Sequence, residues 1–267
     1  MDSANLPWWQ DLTTREVAEL AARDPVLVLP LSAIEQHGPH LPLDTDDRIG
    51  LGLLERACAH LSDEFPLRIL PPMRVATSDE HSDYPGTLTL QPETALAVLR
   101  DLGSSIARTG IRRLLLHNSH GGNAAIMELA ALDLRRRHAL LVGKYHYFRQ
   151  PLPSDVEIPA AEVRHGLHGG QIETAMLLHL APHCVRTGAI DHARSLGEDL
   201  QRELEILGPE GQASFAWLAQ DLNPQGVVGD GRSATAEQGR RLVEHYAAGL
   251  AAAIRDTRRF PLERLGR

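Results

Sequence analysis

Residues 26–46 read VLVLPLSAIEQHGPHLPLDTD. The opening run, Val26–Leu31, is continuously apolar, which is typical of a strand buried on both faces of a parallel sheet. A turn-rich polar segment follows, and from Asp47 onward the apolar residues recur with helical spacing. The polar segment is therefore predicted to lie at the carboxyl end of a strand, where open α/β sheets bind their ligands.

The polar segment carries the residue types of a metal site. Glu35 and His37 are two residues apart, so their side chains point the same way if the extended geometry of the strand persists. Asp46 follows across a loop made rigid by prolines, which lets it fold back onto the same ion. Carboxylate and imidazole together favour zinc, manganese or iron over calcium. The alternative is a polar loop whose acids cap the next helix. It suits Asp44 but not Glu35, because an acid at the exit of a buried strand is costly unless paired or liganded.

The rest of the chain alternates predicted strands with predicted helices. Apolar runs predict further strands at 67–72, 113–117 and 139–145, and helical patterns occur at 13–24, 47–62, 91–109, 123–137, 176–180 and 236–255. This order favours an α/β fold, a three-layer α/β/α sandwich with a mostly parallel central sheet. The length of 267 residues fits one domain spanning 1–267.

Composition limits the class of partner. Hydrophobic residues make up 43% of the chain, and the formal net charge of -8 argues against a nucleic acid or an anionic membrane as partner. Because the sequence shows no basic, apolar leader and no apolar run of bilayer-spanning length, we expect a soluble, cytoplasmic protein. The 14 histidines, several of them beside glycine, raise the expectation of metal chemistry.

Further polar segments are predicted at the ends of the other strands. Residues 78–87 form a loop after the second strand, 118–123 a glycine turn after the third, and 168–174 a glycine turn that leads into an apolar helix. The strand–turn–helix order at 118–123 is typical of phosphate loops, but the G-x-G-x-x-G fingerprint and the P-loop lysine are both absent, so phosphate is the weaker interpretation. The proline- and acid-rich residues 148–162 are predicted to form a loop over the site.

Taken together, these segments resemble the creatininase family of metal-dependent amidohydrolases. The matching stretches, in order, are 35–46 with its E-x-H-G-x-H opening, 85–87, 118–123, 168–174 and 234–239. The resemblance spans nearly the whole chain and implies a three-layer α/β/α fold, commonly assembled into hexamers, with a two-metal site at the carboxyl ends of the strands. We therefore expect a homohexamer with two divalent ions per subunit, zinc by preference and manganese or iron as alternatives.

Carried over to this sequence, the resemblance assigns roles to the residues of the site. The expected metal ligands are Glu35, His37, Asp46, His120 and Glu173. Asp46 is expected to bridge the two ions. Glu173, an acid at the start of an otherwise apolar helix, is expected to act in catalysis together with His168, the expected acid–base residue beside the leaving nitrogen. The alternative for His168 is a histidine that caps the glycine turn after it.

Other polar residues are expected to surround these ligands. Candidates for contact with the substrate are Ser78, His81, Gly121 and Gly122, the two glycines through backbone amides that stabilise an oxyanion. Candidates for orienting the ligands are His40 and Asp44, and Glu80 fits either role. For each, an ordinary role in a loop or a helix cap is the alternative.

The resemblance implies hydrolysis of a C–N bond in a small-molecule amide, cyclic amide or formamide. Zinc lowers the pKa of a bound water to about 7, so a metal-bound hydroxide can attack the amide carbon. His168 would then protonate the departing nitrogen. Departures from creatininase proper argue against creatinine as the substrate, among them that the only tryptophans here are Trp8, Trp9 and Trp217, whereas creatininase closes over creatinine with loop tryptophans. Creatininase proper has a carboxylate where this chain has Gly122, and a glutamate where this chain has Leu167.

Four other functions stay open. Within the family they are a formamide deformylase and a peptidase in the maturation of mycofactocin, a peptide-derived redox cofactor. Both share the Gly121-Gly122-Asn123 version of the turn. Outside the family's chemistry they are a metal-binding hexamer without catalysis and a phosphate-binding module that uses the turns at Gly121 and Gly229. Metal analysis separates that module from the others, because it needs no tightly bound transition metal.

Overall fold

The computed structural model describes residues 6–266 and is built around a four-stranded parallel sheet. The strand order is β2-β1-β3-β4, with β1 at Val26–Leu31, β2 at Leu67–Ile69, β3 at Arg113–Asn118 and β4 at Leu141–His146. Every residue of the two central strands, β1 and β3, is buried, as the continuous apolar run of β1 and the leucine run at the centre of β3 predict. The prediction of an α/β fold with a mostly parallel sheet is confirmed.

The helices alternate with these strands and continue after them. They are α1 (Thr14–Ala21), α2 (Thr45–Cys58), α3 (Pro92–Arg108), α4 (Ala124–His138), α5 (Ala160–His165), α6 (Gln171–Leu180), α7 (Leu196–Glu203), α8 (Ala219–Leu222) and α9 (Ala236–Arg259). Two pairs of short strands lie outside the central sheet: β5 (His192–Ala193) with β8 (Gly229–Asp230), and β6 (Leu207–Gly208) with β7 (Ala213–Ser214). None of the helices within 6–266 combines the length and the apolar character needed to cross a membrane.

The side chains of β1 alternate between two hydrophobic cores. Val26 and Val28 pack with α2, α6 and α9 on one face of the sheet, whereas Leu27 and Leu29 pack with α3 and α4 on the other. This alternation follows from the two-residue period of a strand. It produces three layers, with the sheet between two layers of helices.

Several elements differ from prediction at their ends. The second strand ends at Ile69 rather than at 72, because Pro71 and Pro72 have no backbone N–H to donate. Pairing with β1 resumes where the Met73 N–H donates to Pro30 O over 3.0 Å, which directs the chain toward the edge where residues 78–87 begin. The helix predicted at 176–180 begins earlier, at Gln171, so Glu173 lies in its first turn.

Close packing of α6 against α9 gives a prediction about stability. A Cβ added at Gly239 would lie 1.8 Å from Ala175 O, so the two helices touch there through backbone. Gly239→Ala is expected to destabilise the protein by about 2 kcal/mol, because overpacking of about 1–3 kcal/mol outweighs the gain in helix propensity. Thermal unfolding should show a fall in Tm of several degrees. Gly188→Ala is the control, since a Cβ there meets nothing within 4 Å. An unchanged Tm for Gly239→Ala would contradict this packing.

Candidate metal centre

Four segments bring carboxylates and imidazoles together at the carboxyl edge of the sheet. Glu80 and His168 each offer a ligand atom beside Glu35 at this edge. The five predicted ligands that meet there, called the ligand cluster below, are Glu35, His37, Asp46, His120 and Glu173. They come from the loop after β1, the first turn of α2, the residues after β3 and the first turn of α6. The strand β1 ends at Leu31, so Glu35 and His37 lie in a loop rather than in the extended strand. The Glu35 N–H donates to Leu43 O over 3.0 Å, which closes this loop and returns the chain to Asp46.

Asp46 stands between two groups of ligand atoms. Its Oδ2 lies 3.4 Å from His120 Nδ1, which in turn lies 3.2 Å from Glu35 Oε1. Its Oδ1 lies 3.5 Å from His37 Nε2, and Glu173 Oε2 lies 4.0 Å from the same nitrogen. One carboxylate oxygen therefore faces each group, the arrangement expected of a carboxylate that bridges two ions.

The ligand atoms fit divalent metal ions by separation and by chemistry. Adjacent ligands of a tetrahedral zinc ion with bonds of about 2.1 Å lie about 3.4 Å apart, close to the separations around Asp46. Glu35 Oε1, His37 Nε2 and Asp46 Oδ2 are buried and make no hydrogen bond to any residue of 6–266. Buried polar atoms are rarely left unpaired, and these three atoms suit a bound cation.

Both histidines of the ligand cluster are held with a lone pair toward the site. His37 Nδ1 donates to Glu35 O over 3.1 Å, which leaves Nε2 as the atom facing Asp46. His120 Nε2 donates to Thr77 O over 2.8 Å, which leaves Nδ1 facing Glu35 and Asp46. A metal-binding imidazole commonly donates its other N–H to a carbonyl in this way, because the bond fixes the tautomer and the ring orientation.

Without a metal, protons take the place of the cations. Burial disfavours a charged His37, but the carboxylates of Asp46, Glu173 and Glu35 outweigh it and raise the pKa of His37 to about 9. Burial also opposes the charge on His120, and again Glu35 and Asp46 prevail and raise its pKa well above the usual value. Burial is the main cause that raises the pKa of Glu173 to about 7, with Asp46 and Glu35 adding to it.

These pKa shifts predict that metal binding releases protons. At pH 7 the metal-free protein carries a proton on each of His37 and His120 that metal must displace, and Glu173, with a pKa of about 7, is about half protonated, so about two to three protons should appear per chain. Affinity for zinc should therefore rise as pH increases through about 9, the pKa of His37, and fall as pH is lowered. Calorimetric titration with zinc in buffers of different ionisation enthalpy measures this release. Binding without proton release would contradict the assignment of these histidines as ligands.

Two further histidines stack beside the ligand cluster. The ring centroid of His168 lies 4.2 Å from that of His37 and 4.1 Å from that of His81. Both rings approach Glu35 Oε1. His168 Nδ1 lies 3.7 Å from this oxygen, and His81 Nε2 lies 3.6 Å from it. Burial lowers the pKa of His81 to about 4 and lowers that of His168 well below its usual value, so both rings are neutral near pH 7.

The structure places Ser78, His40 and Asp44 in three different environments. The Ser78 hydroxyl donates to Glu35 Oε2 over 2.5 Å, a contact that orients a ligand and leaves the hydroxyl little scope to meet substrate. His40 Nε2 lies 2.9 Å from Thr174 Oγ1, so it contacts the residue next to Glu173. Asp44 is not brought to the cluster. It accepts from Arg48 Nε over 2.8 Å at the partly exposed start of α2 and does not cap that helix with its side chain.

The glycine turn at Gly121 and Gly122 forms a more open rim beside the buried ligand cluster. Gly121 is exposed, and a Cβ there would meet nothing within 4 Å. At Gly122, however, a Cβ would lie 2.5 Å from Glu80 Oε1 and 2.7 Å from Thr77 O. This chain therefore has no room for a carboxylate at position 122, and Glu173 approaches His37 and Asp46 from α6 instead.

Sequence reasoning missed the asparagines that position His120. Asn118 Nδ2 donates to His120 O over 2.7 Å, and its Oδ1 accepts from the His120 N–H over 3.2 Å. Asn123 Oδ1 accepts from the Thr77 N–H over 3.1 Å, which holds the carbonyl that orients the His120 ring. Both asparagines are fully buried. Buried asparagines on either side of a histidine are a usable sequence signal, but their partners lie on other segments.

The sequence of this chain is similar to those of known proteins. The family model for creatininase, described as creatinine amidohydrolase, matches residues 10–254. The mycofactocin precursor peptide peptidase of Mycobacterium ulcerans (strain Agy99) is 32% identical over 243 residues, which cover 89% of this chain and 87% of that protein.

Solved structures show that the similarity extends to the fold. A mutant creatininase of the Zn-Zn type superposes with a TM-score of 0.74 at 26% identity, covering 96% of this chain and 99% of that one. A structure of creatininase with Mn gives a TM-score of 0.74 at 25% identity, covering 96% of this chain and 100% of that one.

Proposed function

The chain belongs to the creatininase family, and from that premise we propose that it is a metal-dependent hydrolase that cleaves an amide C–N bond. The observation that carries the proposal is the set of buried, unpartnered atoms Glu35 Oε1, His37 Nε2 and Asp46 Oδ2. The Asp46 carboxylate lies between His37 and His120, where it would serve both ions. Five residues, those of the ligand cluster, would hold two divalent ions. When bound, such ions make a shared water more acidic and polarise the carbonyl of the substrate.

His168 supplies the proton transfers that amide hydrolysis needs. Its Nε2 donates to Gln36 O over 2.7 Å, so its Nδ1 carries a lone pair and faces the ligand cluster. A neutral imidazole in this tautomer accepts a proton from the attacking water and then gives it to the departing nitrogen. His168 therefore acts first as a base and then as the acid that the sequence predicts.

The identity of the ions and the assembly are part of the same proposal. Zinc is the preferred metal and manganese or iron the alternative, which is supported by creatininase structures of Zn-Zn and Mn forms. A single domain, a homohexamer and a cytoplasmic location remain predictions from the sequence. Light scattering on the purified protein tests the hexamer.

Two classes of amide substrate are supported by different observations. A small-molecule amide is supported by the family model, whose description is creatinine amidohydrolase. A short peptide is supported by the relative from Mycobacterium ulcerans, because its 32% identity exceeds the 25–26% of the creatininase structures. A narrow substrate group is favoured in both cases, because Glu35, His37, Asp46 and His120 are buried and Glu173 is only partly exposed, beside the more open rim at Gly121, Gly122 and Glu80.

One screen tests the proposal and separates these classes. Zinc-loaded and manganese-loaded protein is incubated with creatinine, a lactam, a formamide and a mycofactocin precursor peptide, and mass spectrometry detects addition of one water. We expect hydrolysis of at least one substrate, dependent on metal and removed by chelation. Full metal loading without hydrolysis of any of the four would favour a metal-binding protein without catalysis.

A further inference from the structure

Gln36, between two residues of the ligand cluster, has a side-chain amide whose orientation is fixed by backbone on both sides. Its Oε1 accepts from the Gly38 N–H over 3.0 Å, and its Nε2 donates to Gly226 O over 2.5 Å. A backbone N–H only donates and a backbone carbonyl only accepts, so exchanging the amide oxygen and nitrogen would break both bonds. The Nε2 of Gln36 is therefore a donor to every neighbour.

That orientation determines the tautomer of His81. Gln36 Nε2 lies 2.7 Å from His81 Nδ1, so Nδ1 must be the acceptor. A neutral imidazole carries its single proton on the other nitrogen, and the Nε2 of His81 is the atom that faces the ligand cluster, 3.6 Å from Glu35 Oε1. His81 is 2% exposed, so water does not compete for this arrangement.

The backbone carbonyl of Gln36 fixes His168 in the opposite tautomeric arrangement, with a lone pair rather than an N–H toward the site. Gln36 O accepts from His168 Nε2, which leaves a lone pair on Nδ1 toward the same Glu35 oxygen. The two rings are stacked with centroids 4.1 Å apart. One of them thus presents an N–H to the site and the other a lone pair, and both orientations depend on Gln36.

We propose that Gln36 is a positioning residue that holds His81 as an N–H donor to the substrate oxygen, so that His81 stabilises the negative charge that forms when the amide is attacked. This inference rests on the proposed function. In the step, the water gives a proton to His168 Nδ1 and its oxygen bonds to the amide carbon, while the carbonyl electron pair moves onto the oxygen that accepts from His81 Nε2. The C–N bond then breaks, the carbonyl re-forms, and the nitrogen takes the proton from His168.

The first test reads the tautomer directly. A two-bond ¹H–¹⁵N correlation spectrum of the zinc-loaded, full-length protein distinguishes a proton on Nε2 from one on Nδ1. We expect the Nε2–H form of His81 in the wild type and the Nδ1–H form in Gln36→Glu, because a carboxylate accepts where the amide donated. Tyr84→Phe is the control. It removes the bond from the Tyr84 hydroxyl to Pro224 O that supports the same turn, and it should leave the tautomer unchanged.

The second test measures how much the N–H of His81 contributes to the binding of an oxyanion, with inorganic phosphate as the probe. His81→Leu should weaken phosphate binding to the zinc-loaded protein about tenfold or more, since hydrogen bonds to charged groups are among the stronger ones. His81→Gln keeps an N–H and should recover most of this affinity. Either of two results would overturn this inference and leave the proposed function standing. One is an Nδ1–H tautomer of His81 in the wild type, and the other is unchanged phosphate affinity in His81→Leu with zinc retained. Wild-type protein that holds no zinc would overturn the proposed function.

Discussion

Asp46→Asn is expected to remove both divalent ions and to lower amide hydrolysis by more than about 100-fold. Loss of a residue that merely orients a ligand costs about 10–100-fold in affinity or activity, and Asp46 faces both groups of ligand atoms directly. Asp46 is also negatively charged in the metal-free protein. Burial would raise the pKa of Asp46, but His37 and His120 outweigh burial and hold it well below the usual value.

The measurement for this prediction is metal content and hydrolysis on the same purified samples. Asp44→Asn is the matched control, because it removes an acid two residues away whose side chain pairs with Arg48 outside the ligand cluster. The control should lose at most about 0.5 kcal/mol of stability and keep its metals. Full metal content in Asp46→Asn would show that Asp46 does not bridge the two ions.

Glu173→Gln is expected to remove one ion of the two and to reduce hydrolysis by about 100-fold. Glu173 is grouped with His37 and Asp46 only, so the position formed by Glu35, His120 and Asp46 keeps its ligands. Position 122 offers no carboxylate to replace it, since a Cβ there already meets Glu80 and Thr77. The neutral amide of glutamine is a poorer ligand for zinc than a carboxylate.

Zinc titration followed by elemental analysis measures this loss, with one ion per chain expected in the variant and two in the wild type. Glu93→Gln is the control because Glu93 also lies in the first turn of a helix, α3, but is exposed to solvent. If Glu173→Gln bound two ions with unchanged activity, the second position would have to be built from other residues.

The layered core was predictable because its signal is local. The strand Val26–Leu31 is read from a run of six apolar residues and Arg113–Asn118 from the Leu114–Leu116 run at its centre, and burial on both faces favours such runs. The ends of elements were less predictable. The fourth strand was expected at 139 and begins at Leu141, because Ala139 adopts a left-handed conformation (φ 55°) that terminates α4. Nothing in an alanine signals that conformation.

In the site, the residues were predictable and their hydrogen bonds were not. The spacing and the family resemblance pointed to Glu35, His37, Asp46 and His120, which the structure brings together. The role of Gln36 depends on Gly226, which lies 190 residues away along the chain, and on His81 in another loop. Long-range contacts of this kind follow from the packed fold and leave no periodic pattern in the sequence.

The most direct test of this account is a crystal of the zinc-loaded protein examined by anomalous scattering at the zinc edge. We predict two peaks per chain, one bonded to Glu35 and His120, the other to His37 and Glu173, with Asp46 between them. A chain that binds zinc only at surface histidines, with no peak beside Asp46, would contradict the account.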